Sequence, residues 1–287
     1  MTVLEGIQRS TEFLSKKGVD SPRLQAELLL AHLLKLPRMR LYLNFERVLG
    51  ANEVDAFRDL VQRRAAREPL QYILSSTSFC GLELALNRHV LIPRPETELL
   101  AERGWQFLRE ISNSTPHPSA LDFGTGSGCL AIALAVNSPT ARLVGLDVSS
   151  EALELARANA ARHAVTDRIE FVYGDLFDSL PGDRKFELVI SNPPYIPTAE
   201  IDLLQPEVRN YEPRHALDGG VDGLAFFRKL AVATGPILKP GARLMLEFGD
   251  GQLDAIHAIF QSENWIVEAM QTDYTQLPRI AVLKKPD

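Results

Sequence analysis

The 287-residue sequence contains little cysteine and lacks any long hydrophobic run. Its two cysteines, Cys80 and Cys129, cannot form a disulfide framework or a four-ligand zinc site. No uninterrupted apolar stretch reaches the roughly 18 residues that a membrane helix needs. The segment Met1–Glu5 lacks the basic and apolar regions of an export signal. We therefore expect a cytoplasmic protein with no membrane association and no metal centre.

Low-complexity tracts and internal repeats are also absent, and the 45% hydrophobic and 24% charged residues are typical of a globular protein. The net charge of −6 is unevenly distributed. Residues 1–75 contain 12 Lys and Arg against 9 Asp and Glu, whereas the rest of the chain contains 19 against 28. Because tight duplex binding needs clustered cations, the acidic remainder argues against stable nucleic-acid binding. The basic front end suits an acidic protein partner, or is simply a solvated helical surface.

The first part of the chain, residues 1–75, carries helix signals and no strand alternation. Thr2 with Glu5 forms a capping-box pattern ahead of an apolar face. Ser21, followed by proline, and Asn52 are predicted to cap two further helices. This segment is predicted to be a small helical-bundle domain.

After residue 75 the sequence pattern changes twice. Residues 76–95 surround a central glycine and are predicted to form a β-hairpin linker. Residues 96–287 alternate apolar runs with helical patterns, which is typical of an α/β protein with a doubly wound, mostly parallel sheet. The last two runs are joined without an evident helix, so one strand is expected to be antiparallel. The seven predicted strands span 120–123, 143–146, 169–172, 186–190, 244–248, 266–269 and 280–283.

A glycine-rich turn follows the first strand of this sheet and opens a helix. Glycines there tolerate positive φ and let a ligand approach the helix N-terminus closely. Asp122, at the strand end, is expected to tie the turn by hydrogen bonds to backbone amides. The predicted cofactor-binding residues of the turn are Gly124, Thr125, Gly126, Ser127 and Gly128.

Two acidic residues follow the next two strands. Asp147 is predicted to accept hydrogen bonds from both ribose hydroxyls of a nucleoside cofactor, and Asp175 from an adenine amino group, with Leu176 against the ring. The Gly-x-Gly-x-Gly spacing departs from the dinucleotide fingerprint, and no Gly-Lys-Ser/Thr phosphate loop is present. S-adenosylmethionine, which has no phosphate, is therefore the predicted cofactor, and S-adenosylhomocysteine is its product.

The fourth strand ends in Asn192, Pro193, Pro194 and Tyr195. The prolines fix φ and remove two N–H donors, and the Asn192 amide both donates and accepts. We expect the Asn192 side-chain oxygen and the Pro193 carbonyl to accept the hydrogens of a planar substrate –NH₂ group. Tyr195 would form an aromatic wall, and methyl transfer would be in line. Asn192, Pro193 and Tyr195 are the predicted catalytic residues, all four contact substrate, and Asn192 also borders the cofactor.

This tetrapeptide is similar to the signature of methyltransferases that act on planar exocyclic or amide nitrogen, and further blocks extend the similarity over nearly the whole chain. Together they resemble the release factor glutamine methyltransferases of the HemK/PrmC family. The resemblance implies a Rossmann-like seven-stranded methyltransferase sheet preceded by a helical domain. The additional blocks are Glu68–Tyr72, Phe79–Glu83, Val90–Glu98, Asp122–Gly128 and Tyr211–Leu224.

The resemblance further implies N5-methylation of the glutamine in the Gly-Gly-Gln motif of class I peptide chain release factors, which modulates translation termination. Residues 1–75 would help to grip the release factor, and we expect a monomer. Two segments depart from the family pattern: Ser75-Ser76 stands where a glycine is frequent, and Asp273–Arg279 is atypical. The shapes of those two loops are left open.

Some polar residues outside these motifs are further candidates. Arg94 and Thr97 are expected to help form a roof over the cofactor, although Thr97 equally fits an ordinary helix start. The segment from Glu212 to His215 is expected to shape the substrate channel. Four dispersed histidines are predicted to be solvated or loop residues: His89, His163, His215 and His257.

Three alternative functions share part of these signals. A ribosomal-protein glutamine N5-methyltransferase would carry the same catalytic residues. An adenine-N6 DNA methyltransferase shares the tetrapeptide, but it should carry a target-recognition domain and a basic groove, against which the acidic balance counts. A non-catalytic binding protein that retains the cofactor fold is disfavoured, because the glycine turn, Asp147 and the Asn192–Tyr195 turn are all intact.

Overall fold

The computed structural model of the protein describes residues 1–180 and 182–286. Within them the α-helices are α1 (Val3–Lys16), α2 (Pro22–Leu34), α3 (Arg38–Leu41), α4 (Ala51–Ala65), α5 (Leu70–Leu74), α6 (Pro95–Ile111), α7 (Cys129–Asn137), α8 (Ser150–Arg162), α9 (Pro206–Tyr211), α10 (Ala225–Ala233) and α11 (Leu253–Ser262). The strands are β1 (Ser76–Phe79), β2 (Leu82–Ala85), β3 (Ser119–Phe123), β4 (Arg142–Asp147), β5 (Ile169–Tyr173), β6 (Phe186–Ser191), β7 (Leu238–Glu247), β8 (Ile266–Thr272) and β9 (Pro278–Lys284). None of the described helices is long and apolar enough to cross a membrane.

The chain divides into two compact units. The first consists of Met1–Ser76 together with Gln205–Tyr211, and the second of Thr77–Leu204 and the chain from Glu212 onward. This division differs from the predicted domain boundaries in two respects. The two-stranded sheet of β1 and β2 lies almost wholly in the second unit, and α9 belongs to the helical first unit although it lies far along the chain.

The helical unit packs α1, α2 and α4 around an apolar core that includes Leu14, Leu30 and Phe57. The predicted capping box at the start of α1 is confirmed: the Thr2 and Glu5 backbone N–H groups each donate to the other residue's side chain, at 2.9 and 3.2 Å.

The predictions for the starts of the next two long helices have different outcomes. Ser21 is the N-cap of α2 and Pro22 is its first residue, as predicted, but Ser21 has φ of 46° and its side chain makes no capping hydrogen bond. The prediction that Asn52 caps α4 is wrong. Asn52 lies inside the helix, whose N-cap is Gly50, two residues earlier, and the Glu53 carboxylate accepts from the Gly50 N–H at 3.0 Å.

The large sheet has the strand order β5-β4-β3-β6-β7-β9-β8. All seven strands expected from the apolar runs are present, and β9 alone of them pairs antiparallel with both neighbours, which confirms the predicted fold. The chain moves outward from β3 through β4 to β5, and then continues on the other side of β3 with β6. In doubly wound sheets, ligands bind at the carboxyl ends of the strands beside such a reversal.

Both faces of the sheet are covered, which accounts for its apolar strands. Every residue of β6 is buried, as expected for a central parallel strand. One face packs against α6, α7 and α8 through residues such as Leu100 and Leu134. The other packs against α10 and α11 through Phe227 and Phe260. These layers hold the carboxyl ends of the central strands in a rigid frame.

Candidate active site

A cavity of about 270 Å³ lies at the carboxyl ends of β3, β4, β5 and β6. The side chains around it come from the ends of these strands and from the segments that follow them. The predicted site residues that line it are Gly124, Gly126, Asp147, Asp175, Asn192, Pro193 and Pro194. The other predicted residues lie outside its lining, namely Thr125, Ser127, Gly128, Leu176 and Tyr195. The structure therefore brings most of the predicted cofactor and substrate residues to one place.

The glycine turn is held tightly between β3 and α7. The N–H groups of Gly124 and Thr125 both donate to the Leu146 carbonyl, at 2.8 and 3.0 Å. Gly128, with φ of +81°, precedes the first residue of α7, and a Cβ there would approach Ala156 of α8 to 3.1 Å. Glycine at this position thus meets both a backbone and a packing requirement.

Asp122 holds the turn through a threonine hydroxyl, not through the backbone amides of the turn as expected, and it also binds one backbone amide of α7. Its Oδ2 accepts from the Thr125 hydroxyl at 2.6 Å and from the Ala131 N–H at 3.1 Å. Complete burial raises the pKa of Asp122 to about 7, an effect to which the Asp147 charge adds and which the two hydrogen bonds oppose. The bond to Asp122 also explains why Thr125 faces the interior and not the cavity.

Asp147 is fixed by the backbone of two loops. Its Oδ2 accepts from the Gly126 N–H at 2.8 Å, and its Oδ1 accepts from the Ser149 N–H at 2.9 Å. Each carboxylate oxygen has further acceptor capacity, so the group can still take hydroxyl hydrogens from a ligand in the cavity. Asp175 borders the same cavity from the segment after β5 and is exposed.

Asn192 is oriented by a contact that the sequence did not predict. Its Nδ2 donates to the Thr97 hydroxyl oxygen at 3.0 Å, and that hydroxyl donates to Glu247 Oε2 at 2.6 Å. The Asn192 nitrogen is therefore held by Thr97, and its oxygen is left for the cavity. Thr97 is thus neither a roof over the cavity nor a helix cap.

Tyr195 is placed behind the turn, outside the cavity lining. Its hydroxyl donates to Glu247 Oε1 at 3.3 Å, and its carbonyl accepts from Gln252 Nε2 at 2.9 Å. A Cβ on Gly223, where φ is +74°, would come within 2.4 Å of the same carbonyl oxygen. The glycine-rich segment around Gly223 therefore braces the backbone of the turn. An aromatic side chain that does line the cavity is Phe226.

Glu247, at the carboxyl end of β7, is the main residue that sequence reasoning missed. Its side chain is buried, and burial raises its pKa to about 7 against the opposing effect of the hydrogen bonds from Thr97 and Tyr195. A signal was present, because Glu247 is a lone acid at the end of an apolar strand, as Asp147 is at the end of β4.

Arg94 and Glu212, which were expected to help form a roof over the cofactor and to shape the substrate channel, form an ion pair with each other and do not line the cavity. Glu212 Oε1 pairs with Arg94 at 2.7 Å, and its Oε2 accepts from the Ile92 N–H at 3.2 Å. Arg94 thus ties together two loops of the second unit. His89 and His215, expected to be dispersed, both border the cavity from these loops and are exposed. The expected contribution of the 212–215 segment to a channel stays a prediction.

Comparison with known proteins assigns the chain to a family. The family model described as the PrmC N-terminal domain matches residues 5–74, and the methyltransferase small domain matches residues 102–205. A release factor glutamine methyltransferase from Geobacter sulfurreducens is 47% identical over 90% of this chain and 88% of its own length. The chain belongs to the release factor glutamine methyltransferase family.

Other relatives agree with this assignment. A release factor glutamine methyltransferase from Chlorobaculum tepidum is 42% identical over 97% of this chain and 95% of its own length. Among solved structures, a methyltransferase from Pyrococcus furiosus superposes with a TM-score of 0.53 at 18% identity, covering 77% of this chain and 97% of that one. The structural likeness supports the methyltransferase fold.

Proposed function

We propose that the protein transfers a methyl group from S-adenosylmethionine to the side-chain N5 of the glutamine in the Gly-Gly-Gln motif of class I peptide chain release factors. The observation that carries this proposal is the orientation of Asn192 on the cavity, with its nitrogen held by Thr97. An amide oxygen that is presented beside the Pro193 carbonyl suits a substrate –NH₂ group, which has two hydrogens to donate.

The cavity suits a nucleoside cofactor without phosphates. Asp147 and Asp175 line it, and none of its described lining residues is Lys or Arg. Carboxylates would repel phosphates but accept from ribose hydroxyls and an adenine amino group, and Phe123 and Leu146 offer apolar surface to the base. We therefore assign cofactor binding to the Gly124–Gly128 turn, Asp147 and Asp175. The cofactor would supply an electrophilic methyl group on a sulfonium.

The residues of the turn compensate for a weak nucleophile. The lone pair of an amide nitrogen is delocalised into its carbonyl, so its position and its electrostatic surroundings must accelerate the reaction. Acceptance of both –NH₂ hydrogens by Asn192 and Pro193 holds the nitrogen with its lone pair toward the methyl group. When bound, S-adenosylmethionine would supply the methyl group for the new N–C bond and would leave as the neutral thioether S-adenosylhomocysteine. The methylated nitrogen then loses a proton to water, so no dedicated base is needed.

We further propose that residues 1–75 recognise the release factor and that the protein acts as a cytoplasmic monomer without stable nucleic-acid binding. The mildly basic balance of residues 1–75 and the acidic balance of the remainder support this division.

The test is a parallel methylation assay. The protein is incubated with methyl-labelled S-adenosylmethionine and, separately, a purified release factor, ribosomal proteins and duplex DNA. We expect label on the release factor alone, located by mass spectrometry on the Gly-Gly-Gln glutamine, and none on a release factor in which that glutamine is alanine. Label on ribosomal protein or on DNA but not on the release factor would replace this proposal with the corresponding alternative.

A further inference from the structure

A buried chain of hydrogen bonds leads from Asn192 away from the cavity, through Thr97 to Glu247. We propose that Thr97 and Glu247 are positioning residues that fix which end of the Asn192 amide faces the substrate. The inference rests on the proposed function, because it assigns the oxygen of Asn192 to the substrate –NH₂ group. Neither residue touches the substrate in this arrangement.

The number of hydrogens on the Thr97 hydroxyl determines which group donates in each of these hydrogen bonds. A threonine hydroxyl has one hydrogen, and Thr97 donates it to Glu247 Oε2 at 2.6 Å. The hydroxyl oxygen can then only accept, and it accepts from Asn192 Nδ2 at 3.0 Å. An Asn192 amide rotated by half a turn would place its oxygen against an oxygen that has no hydrogen left. An ionised Glu247 therefore permits a single orientation of Asn192.

Because the residues behind Asn192 are buried, the other orientation of its amide would be energetically unfavourable. Thr97 and Glu247 are 3% and 1% exposed, so water cannot replace a lost partner. The other oxygen of Glu247 is occupied by the Tyr195 hydroxyl. The three members of the chain come from α6, β7 and the end of β6, which are rigid elements of the second unit.

A role for Thr97 in starting α6 does not account for this geometry. The N-cap of α6 is Arg94, and its side chain makes no capping hydrogen bond. The Thr97 hydroxyl is directed across to β7, 150 residues along the chain, and not to the backbone of its own helix. The residue therefore serves the turn after β6.

The test compares Thr97→Val, which keeps the shape and removes the hydroxyl, with Thr97→Ser, which keeps the hydroxyl. We expect the valine variant to lower kcat for release factor methylation about tenfold or more, in line with the loss of one preorganised polar contact. Its affinity for S-adenosylmethionine, measured by calorimetry, should stay within about twofold of the wild type. The serine variant should restore most of kcat.

A double-mutant cycle distinguishes an effect of Thr97 on the orientation of Asn192 from a general disturbance of the structure. If Thr97 acts through Asn192, Thr97→Val should have no further effect on kcat in an Asn192→Ala background. Wild-type kcat in Thr97→Val, or an equal loss in both backgrounds, would overturn the inference.

A measurement on the wild type needs a variant only for the assignment of signals. The side-chain –NH₂ signals of Asn192 in nuclear magnetic resonance, assigned by their absence from Asn192→Ala, should exchange with solvent at least tenfold more slowly than those of exposed asparagines. Exchange at the exposed rate would overturn the inference. By contrast, a wild-type protein that does not methylate release factors, but whose Asn192 amide is protected, would contradict the proposed function alone.

Discussion

Asn192 carries two separate tasks on one amide group, because its nitrogen is committed to Thr97 while its oxygen faces the cavity. Asp147 also has two functions, because each of its oxygens accepts from a backbone N–H and can still accept a hydrogen from a ligand. At the scale of single residues, the site thus depends on side chains whose orientation is set by neighbours. Substitutions should therefore distinguish residues that contact a ligand from residues that orient those contacting side chains.

Substitution of Asn192 should affect methyl transfer far more than cofactor binding. We expect Asn192→Ala to lower the methyl-transfer rate about a hundredfold or more, measured in single turnovers, with only modestly weaker S-adenosylmethionine binding. Asn192→Asp should fail nearly as badly, because a carboxylate has no hydrogen to donate to Thr97, whose own hydrogen is bound by Glu247. Near-wild-type turnover of Asn192→Ala would show that the turn after β6 has a structural role and no catalytic one.

Substitution of Asp147 should act on cofactor binding. We expect Asp147→Ala to weaken S-adenosylmethionine binding by about 1–3 kcal/mol in calorimetry, because charged hydrogen bonds to the ligand are lost. Asp147→Asn is the matched control, since it keeps one acceptor and should lose less. An unchanged affinity in folded Asp147→Ala would remove this residue from the cofactor site.

The ionisation of Glu247 should appear in the pH dependence of activity. Its pKa is raised to about 7, and only the carboxylate form accepts without donating to Thr97, so kcat should rise as the pH increases through about 7. The charged and titratable groups that act on it are Glu96, Arg279 and Tyr195. Glu247→Gln should remove this dependence, because glutamine does not titrate. A kcat profile with the same rise near pH 7 in both proteins would assign it to another group.

The raised pKa of Glu247 also makes the stability of the folded protein depend on pH. Because the folded-state pKa of Glu247 lies above its ordinary value of 4.5, its protonated form favours folding. That contribution is complete below about pH 4.5 and is lost as the pH rises through about 7. The ionised form that the site requires is thus the less stable one.

At the scale of elements, α9 shows how a distant segment is attached to the helical unit. Glu207 pairs with Arg64 at 2.7 Å and with Arg67 at 2.6 Å, and Arg64 is 4% exposed. These ion pairs lower the pKa of Glu207 to about 2 despite its partial burial. The stabilisation is present above its ordinary pKa of 4.5 and is lost as the pH falls toward 2.

Removal of the Glu207 charge should destabilise the helical unit. We expect Glu207→Gln to lower the free energy of unfolding in urea by about 2 kcal/mol, because Arg64 keeps a buried charge without its partner. The control is Asp55→Asn, which breaks the exposed pair with Arg58 and should cost less than about 0.5 kcal/mol. Equal effects of the two substitutions would contradict a structural role for the buried ion pairs.

At the scale of the whole molecule, two units of different composition share one chain. Every described residue that lines the cavity belongs to the second unit. Both units expose large apolar side chains to solvent, and in the first unit these include Leu43 at 76% exposure. Exposed apolar side chains of this size suit contact with a protein partner better than contact with a small ligand. This agrees with the proposed recognition of release factors by residues 1–75.

Charge introduced at Leu43 should weaken substrate recognition without affecting the cavity. We expect Leu43→Glu to raise KM for the release factor about tenfold, at unchanged affinity for S-adenosylmethionine, because a charge at a contact residue costs more than about 1 kcal/mol. Val232→Glu, at a similarly exposed position in the second unit, is the control and should leave KM unchanged. A KM for Leu43→Glu equal to that of the control would place recognition elsewhere.

The sequence by itself determined the sheet, the glycine turn and the turn after β6, because these depend on local patterns. Alternating apolar runs predicted all seven strands, and the positions of Gly124, Asp147 and Asn192 at strand ends follow from the register of parallel strands. Helix starts were less predictable, because any of several nearby polar groups can pair with the free N–H groups there, and at α4 the Glu53 carboxylate accepts from the Gly50 N–H.

Only the tertiary structure decided how the site is held. Thr97 and Glu247 lie 150 residues apart, and no local pattern in either segment specifies that they share a hydrogen bond. The same holds for α9, which belongs to the helical unit and forms ion pairs with it across 140 residues or more. Pairings of this kind arise when packed layers bring strand ends and helix starts together. The sequence therefore determined which groups can react, and packing determined which way they face.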